Sequence, residues 1–257
     1  MDNPMQDRLK DRRIIVVGSA SGIGAATVRR LASEGARVCA ADINLAGAEA
    51  AASAAGGGAF AVHIDIVDEQ SVNRAMAEAA ERLGGLDGAH LNAADLRVIF
   101  QDSDALAVDL EVFDRTIAVN LRGHLLCTRA VLPHLLKSAS GAIVYTSSSA
   151  ADAGEAERPS YAVAKSGLQA LMRHVASRWG REGITANAIA PGFTMTRELE
   201  ASGQVPQSLI DQFLAAGRST RVGSSEDHAA MVALLLSADG RWINGQVIHV
   251  NGGSLLR

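Results

Sequence analysis

Ile14-Ile15-Val16-Val17-Gly18-Ser19-Ala20-Ser21-Gly22-Ile23-Gly24 decides the fold of this chain. Four β-branched residues in a row predict a short buried strand, and a helical pattern opens at Ile23. Between strand and helix stand three glycines in the spacing G-x-x-x-G-x-G. A plain strand-to-helix turn needs only one glycine. Three let backbone N–H groups come close to a pyrophosphate, with the positive end of the helix behind them.

Outward from this unit the same beat repeats. Strand-like runs at residues 14–17, 36–41, 59–64, 88–92, 142–146, 185–190 and 246–250 alternate with amphipathic runs at 23–34, 45–55, 69–83, 110–137, 161–178 and 227–236. That alternation predicts a parallel sheet covered by helices on both faces. Asp68 and Ser225 are expected helix N-caps, and Gly35 and Gly84 expected stops. Nothing rich in Pro and Ser divides the chain, and Gly56-Gly57-Gly58 reads as a turn, so one domain is expected. Only residues 192–221 lack a strong period, and an irregular excursion in a compact domain reads as a lid.

Composition bounds the function. With 48% hydrophobic and 20% charged residues the chain can bury a large core. A net charge of −4 argues against nucleic-acid binding, which calls for a basic face. Cys39 and Cys127 sit in apolar patterns without metal-ligand spacing, and His90, His124 and His134 are scattered, so no metal is expected. The polar stretch 1–13 is not a signal peptide and no apolar run is long enough to span a membrane, so a cytoplasmic location is expected.

Two further features carry chemistry. Asp42 closes the second strand roughly 20 residues after the glycines, where a carboxylate can accept hydrogen bonds from both adenosine ribose hydroxyls. The same charge would repel the 2′-phosphate of NADP, so NAD is the expected cofactor. In Tyr161-Ala162-Val163-Ala164-Lys165, a phenol and an ammonium lie one helical turn apart. The ammonium is expected to lower the phenol from about 10 toward neutrality. That would suit a general base acting on an alcohol.

With Ser148 thirteen residues before Tyr161 and Asn120 earlier still, these motifs resemble the short-chain dehydrogenase/reductase family over essentially the whole chain. The resemblance implies a single-domain α/β fold, a Rossmann-type doubly wound parallel sheet of about seven strands. It implies an NAD-dependent enzyme interconverting a secondary alcohol and a ketone. Composition cannot choose among Ser147, Ser148 and Ser149, and the family spacing places the substrate-oxygen donor on Ser148. It makes Tyr161 the base, Lys165 the holder of the nicotinamide ribose, and Asn120 the anchor of a relay water.

Cofactor contacts are implied at Gly18, Ser21, Gly22, Ile23 and Gly24, at Asp42 and Ile43, and at Asp65 and Ile66, with Asp65 meeting the adenine. Leu91-Asn92-Ala93-Ala94 stands where the family has Asn-Asn-Ala-Gly, so Asn92 and Ala93 match while Leu91 and Ala94 depart. Val17 likewise stands where Thr is common. Pro191-Gly192-Phe193-Thr194-Met195-Thr196 resembles the family's Pro-Gly-x-x-x-Thr, implying that Pro191, Gly192, Thr194 and Thr196 meet the nicotinamide end. Substrate choice is expected from the 149–160 loop, residues 94–109 and the lid. Ser149 is expected to edge the pocket. Arg158 either recognises a carboxylate or other oxygen-rich group, or joins Glu155 and Glu157 in a solvated charge cluster. The family also implies a homotetramer, through its longest helices and a C-terminal segment resembled by residues 242–253. Alternatives are an NADPH-dependent carbonyl reductase, a non-catalytic NAD(H)-binding sensor, and a dehydratase or epimerase.

Overall fold

The first strand, β1 (Arg13–Val17), is buried on both sides. Ile15 and Val17 enter one hydrophobic cluster, Ile14 and Val16 the other. Alternate side chains of a strand point to opposite faces, so an unbroken apolar run places β1 inside a sheet covered twice. The computed structural model describes residues 7–95, 97–203 and 205–256. Residues 1–6 of the polar N-terminal stretch, Leu96 and Gln204 of the expected substrate segments, and Arg257 lie outside the described residues.

The further strands are β2 (Arg37–Asp42), β3 (Phe60–His63), β4 (Gly88–Leu91), β5 (Ala142–Thr146), β6 (Thr185–Pro191), β7 (Thr194–Met195), β8 (Gly223–Ser224) and β9 (Val247–Val250). Seven of them form one parallel sheet in the order β3-β2-β1-β4-β5-β6-β9, while β7 and β8 pair separately. The chain leaves β3 at one edge and returns beside β1. That reversal opens a crevice at the C-terminal ends of β1 and β4, the place where such sheets bind ligands.

One face carries α1 (Gly22–Ser33), α2 (Leu45–Ala55) and α10 (Ser225–Leu236), through Val28, Leu31, Ala48, Ala52, Val232 and Leu236. The other carries α3 (Glu69–Leu83), α5 (His124–Leu135) and α7 (Pro159–Trp179), through Val72, Met76, Leu126, Val131, Leu168 and Met172. Each fully buried Leu, Val or Met stabilises the fold by roughly 1.5–3 kcal/mol before entropy is counted. Cys39 and Cys127 are core residues, and burial pushes both thiols up to about 12. No helix of the described residues is long and apolar enough to cross a membrane.

Four expectations are corrected. The helix expected over 110–137 is α4 (Leu110–Ile117), a π-helical segment over Ala118–Gly123, then α5. Hydrophobic periodicity does not register one widened turn. The 192–221 excursion is not irregular throughout: it holds β7, α8 (Arg197–Ser202) and α9 (Gln207–Ala216). Neither helix buries a residue, so neither needs a strong apolar stripe. The cap of α10 is Ser224 rather than Ser225, because Ser224 and Asp227 form a reciprocal capping box. Strand ends move by a residue, as at β3 and β9. Asp68 caps α3, which stops at Gly84 as expected. The short α6 (Ala150–Ala153) lies between β5 and α7.

Candidate active site

The glycine turn lies at the β1/β4 crevice. Gly18 has φ +83°, and a Cβ there would stand 2.5 Å from the Ala93 Cα. A Cβ on Gly24 would overlap the Gly18 carbonyl oxygen. Bare backbone therefore forms the mouth of α1, whose N-cap Ser21 makes no side-chain cap bond. Such a cradle fits a dinucleotide pyrophosphate. One carboxylate already leans into it from α8. Both Glu198 oxygens accept from the Gly22 amide at 3.3 Å. Burial works to raise the Glu198 carboxyl, but bonds from its own amide, Gly22 and Thr196, with the charge of Arg29, hold it below its ordinary value.

Asp42 sits at the end of β2, its carboxylate accepting from the Ala20 and Asn44 amides at 2.9 Å each. It thus braces the glycine turn. Ile43 beside it is 60% exposed. Asp65 bends its own backbone, accepting from the Val67 amide at 3.0 Å, while Ile66 is buried. At the end of β4, Leu91 is core. Asn92 alone ties three strands together: its Nδ2 donates to the Gly18 carbonyl and its Oδ1 accepts from Thr146 Oγ1, both at 2.9 Å.

Ser148 follows β5, where its Oγ accepts from the Ala150 amide at 3.1 Å, and its hydroxyl works to lower the Tyr161 phenol. Ser147 faces inward, its Oγ donating to the Lys165 carbonyl at 3.1 Å. Ser149 Oγ accepts from Asn251 Nδ2 at 3.3 Å. The structure separates the three serines that composition could not. Lys165 is 1% exposed, and its Nζ donates to the Thr146 carbonyl at 2.8 Å and stands 5.7 Å from the Tyr161 ring centre. Burial lowers Lys165 to about 8.

The expected lowering of Tyr161 is corrected. Although the residue keeps partial solvent access, desolvation dominates and pushes the phenol above its ordinary value, against the opposing bond of Ser148 and charge of Arg158. The Lys165 charge is engaged with the Thr146 carbonyl instead. Asn120 lies in the π-helical segment, fully buried. Its Oδ1 accepts from the Asp95 amide at 3.2 Å, and its Nδ2 has no partner among the described residues. Segments of this type are frequent at functional sites, and a buried donor left open is one that a water can fill.

A family model described as enoyl-(acyl carrier protein) reductase matches residues 17–254. Levodione reductase of Leifsonia aquatica is 33% identical over 96% of this chain and 95% of its own. Together with the site geometry, these matches decide the family. The chain belongs to the short-chain dehydrogenases/reductases. Meso-2,3-butanediol dehydrogenase of Serratia marcescens is 34% identical, covering 96% of each chain. A crystal structure of levodione reductase superposes with a TM-score of 0.87 at 32% identity over 95% of this chain and 97% of that one. A short-chain dehydrogenase from Burkholderia cenocepacia J2315, solved in complex with NADP, gives 0.86 at 32% identity over 96% and 99%. This family of oxidoreductases binds a nicotinamide cofactor, and the cradle at Gly18 to Gly24 suits one.

Within this short-chain dehydrogenase the structure adds residues that sequence reasoning missed. Three buried histidines hold the site from behind. His90 Nε2 donates to Thr146 Oγ1 at 2.9 Å, His124 Nε2 to the Ala93 carbonyl at 2.8 Å, and His228 Nε2 to Thr194 Oγ1 at 2.7 Å. Thr146 and Thr194 spend their own protons on Asn92 and the Gly192 carbonyl, so each histidine carries its proton on Nε2. Burial lowers His90 and His124 to about 3 and His228 to about 4. Asp95 and Asp102 are the buried acids of the β4–α4 connection. Nothing in one sequence separates them from the exposed Asp104 and Asp109 nearby. Arg158 pairs with Glu155 at 2.6 Å, as the charge-cluster reading expects.

Proposed function

We propose that this chain is an NAD-dependent oxidoreductase that interconverts a secondary alcohol and a ketone, with Tyr161 as general base. The observation that carries the reading is the buried Lys165, whose Nζ stands 5.7 Å from the Tyr161 ring centre and bonds the end of β5 just before Ser148, at the same end of the sheet as the glycine cradle. The pyrophosphate would lie on Gly18, Ser21, Gly22, Ile23 and Gly24, and the adenosine ribose on Asp42 and Ile43. Asp65 and Ile66 would flank the adenine. Asn92, Ala93, Pro191, Gly192, Thr194 and Thr196 would line the nicotinamide side. The nicotinamide, when bound, supplies hydride acceptance or donation.

The chain's own residues do the rest. Ser148 Oγ donates to the substrate oxygen and holds it against the Tyr161 phenol. Tyr161 takes the hydroxyl proton in oxidation and returns it in reduction. Lys165 binds the nicotinamide ribose hydroxyls, its ammonium held in place by the Thr146 carbonyl. Asn120 holds a water that links Lys165 to solvent. Ser149 edges the substrate pocket, and Arg158 would meet an acidic substrate only in competition with Glu155.

A cytoplasmic homotetramer is proposed with it. Support comes from apolar side chains standing in solvent, among them Trp242 at 99% exposed near the C-terminal strand. An NADP preference is the second reading, favoured by the NADP bound in the Burkholderia structure; the Asp42 carboxylate weighs against it. The test is formation of reduced cofactor from NAD⁺ and from NADP⁺ over a panel of acyclic, cyclic, aromatic and vicinal-diol alcohols. Turnover with NAD⁺ in preference to NADP⁺ is expected. Tight NADH binding with no turnover of any alcohol would favour a sensor.

A further inference from the structure

We propose that Asp102 is a positioning residue for Tyr161: its buried carboxylate clamps the first turn of α7 and so sets the phenol against Ser148. This rests on the reading of Tyr161 as the base. The start of α7 cannot cap itself. Arg158, at the N-cap position, makes no side-chain cap bond, and Pro159 has no N–H to donate. The next two amides, of Ser160 and Tyr161, point into protein rather than water and need acceptors. Asp102 supplies both, from 58 and 59 residues away in sequence.

Its Oδ1 accepts from the Ser160 Oγ at 2.7 Å and from the Ser160 amide at 3.3 Å, and its Oδ2 accepts from the Tyr161 amide at 2.9 Å. Ser160 is fully buried and Asp102 is 3% exposed. The link runs both ways, because the Arg158 amide donates to the carbonyls of Asp102 and Ser103 at 3.1 and 2.8 Å. Those bonds hold Arg158 at φ +67°, a left-handed conformation that a side chain other than glycine takes only under constraint. The segment that carries Asp102 is otherwise open to solvent, with Phe100 94% and Leu106 97% exposed. The buried carboxylate, with the two bonds from the Arg158 amide, pins it to the start of α7.

Ser148 follows β5 while Tyr161 rides on α7, so hydrogen bonds within the helix do not fix their separation. Two cross-links do. Ser147 Oγ ties the Lys165 carbonyl of α7 to the end of β5. Asp102 ties the turn before it, and the Tyr161 amide is itself one of the clamped groups. Loosening that turn lets the phenol drift, and a displacement of about 1 Å between reacting groups can cost on the order of 100-fold in rate.

A readout that needs no substrate tests this. The chain has two tyrosines, and Tyr145 is buried in the core with its phenol pushed far up. Tyrosinate absorbance against pH, with Tyr161→Phe subtracted, therefore isolates Tyr161. Asp102→Asn puts an NH₂ donor against a ring of donors. It should raise the Tyr161 midpoint by about half a pH unit or more as the phenol moves away from the Ser148 hydroxyl that works to lower it. It should also lower kcat on the best alcohol of the panel while NADH affinity stays within about two-fold. Ser160→Ala, which removes one bond and spares the cap, should move the midpoint the same way by less, and it carries the test if Asp102→Asn does not fold. Asp68→Ala removes a more exposed cap, with one amide bond, from α3 and should lower the melting temperature without moving the midpoint.

An unmoved or lowered midpoint in Asp102→Asn, or an equal shift in Asp68→Ala, would overturn the inference. Turnover by Tyr161→Phe would instead remove the base assignment on which the inference rests.

Discussion

Lys165 and Thr146 are joined by a 2.8 Å hydrogen bond from the buried ammonium to a backbone carbonyl at the end of β5. The same threonine, through its hydroxyl, connects His90 to Asn92 and so to the glycine turn. The proposed catalytic lysine and the nucleotide cradle thus share one buried polar chain.

Burial places Lys165 at about 8, so it loses its charge close to working pH. NADH affinity should fall as pH rises through 8, because a neutral amine attracts the cofactor less. Fluorescence titration of NADH across that range checks this. Lys165→Met should bind more weakly and show no such step; a step of unchanged size would assign it to another group.

Glu198 shares the mouth of α1 with the proposed pyrophosphate. An anion at a helix N-terminus is worth about 0.3–1 kcal/mol. Freed of the competing carboxylate, Glu198→Ala should bind NADH about two- to five-fold more tightly by the same figure. Weaker binding in isothermal calorimetry would mean that Glu198 helps to hold the cofactor.

Asp42 has two tasks, bracing the Ala20 and Asn44 amides and, in the proposed reading, selecting NAD. Asp42→Ala should narrow the ratio of kcat/KM for NAD⁺ over NADP⁺. It should also lower Tm, since two amides lose their acceptor at about 1 kcal/mol each. A changed Tm with an unchanged ratio would place discrimination elsewhere.

His90, His124 and His228 are neutral in the fold at pH values where an unfolded imidazole is already protonated. Between pH 6.5 and about 3 the unfolded chain therefore binds more protons, and stability falls as pH drops through that window. The slope is about 1.4 kcal/mol per pH unit for each histidine. Urea midpoints from pH 7 to pH 5 should show the loss, and His90→Leu should reduce its slope. An identical slope in that variant would put the acid sensitivity in other groups.

The fold was legible because its signals are local. The apolar run 14–17, the three glycines and the beat of strand and helix all follow from period and turn chemistry. Asp42 and the Tyr161–Lys165 pair were legible for the same reason. The missed features depend on tertiary contacts. Asp102 caps a helix far along the chain, and the three histidines lie on separate elements. A π-helical turn at Asn120 leaves no mark in the hydrophobic pattern. The Tyr161 expectation went wrong because spacing places Lys165 nearby but cannot say that its ammonium engages Thr146, or how far burial raises the phenol.

The most direct test of the account is the rate of NADH formation from NAD⁺ and the best alcohol of the panel, wild type against Tyr161→Phe, with NADH affinity measured in parallel. Loss of turnover with NADH binding kept within about three-fold is the expected result. A Tyr161→Phe enzyme that still oxidises the alcohol at the wild-type rate would contradict the assignment of Tyr161 as the base.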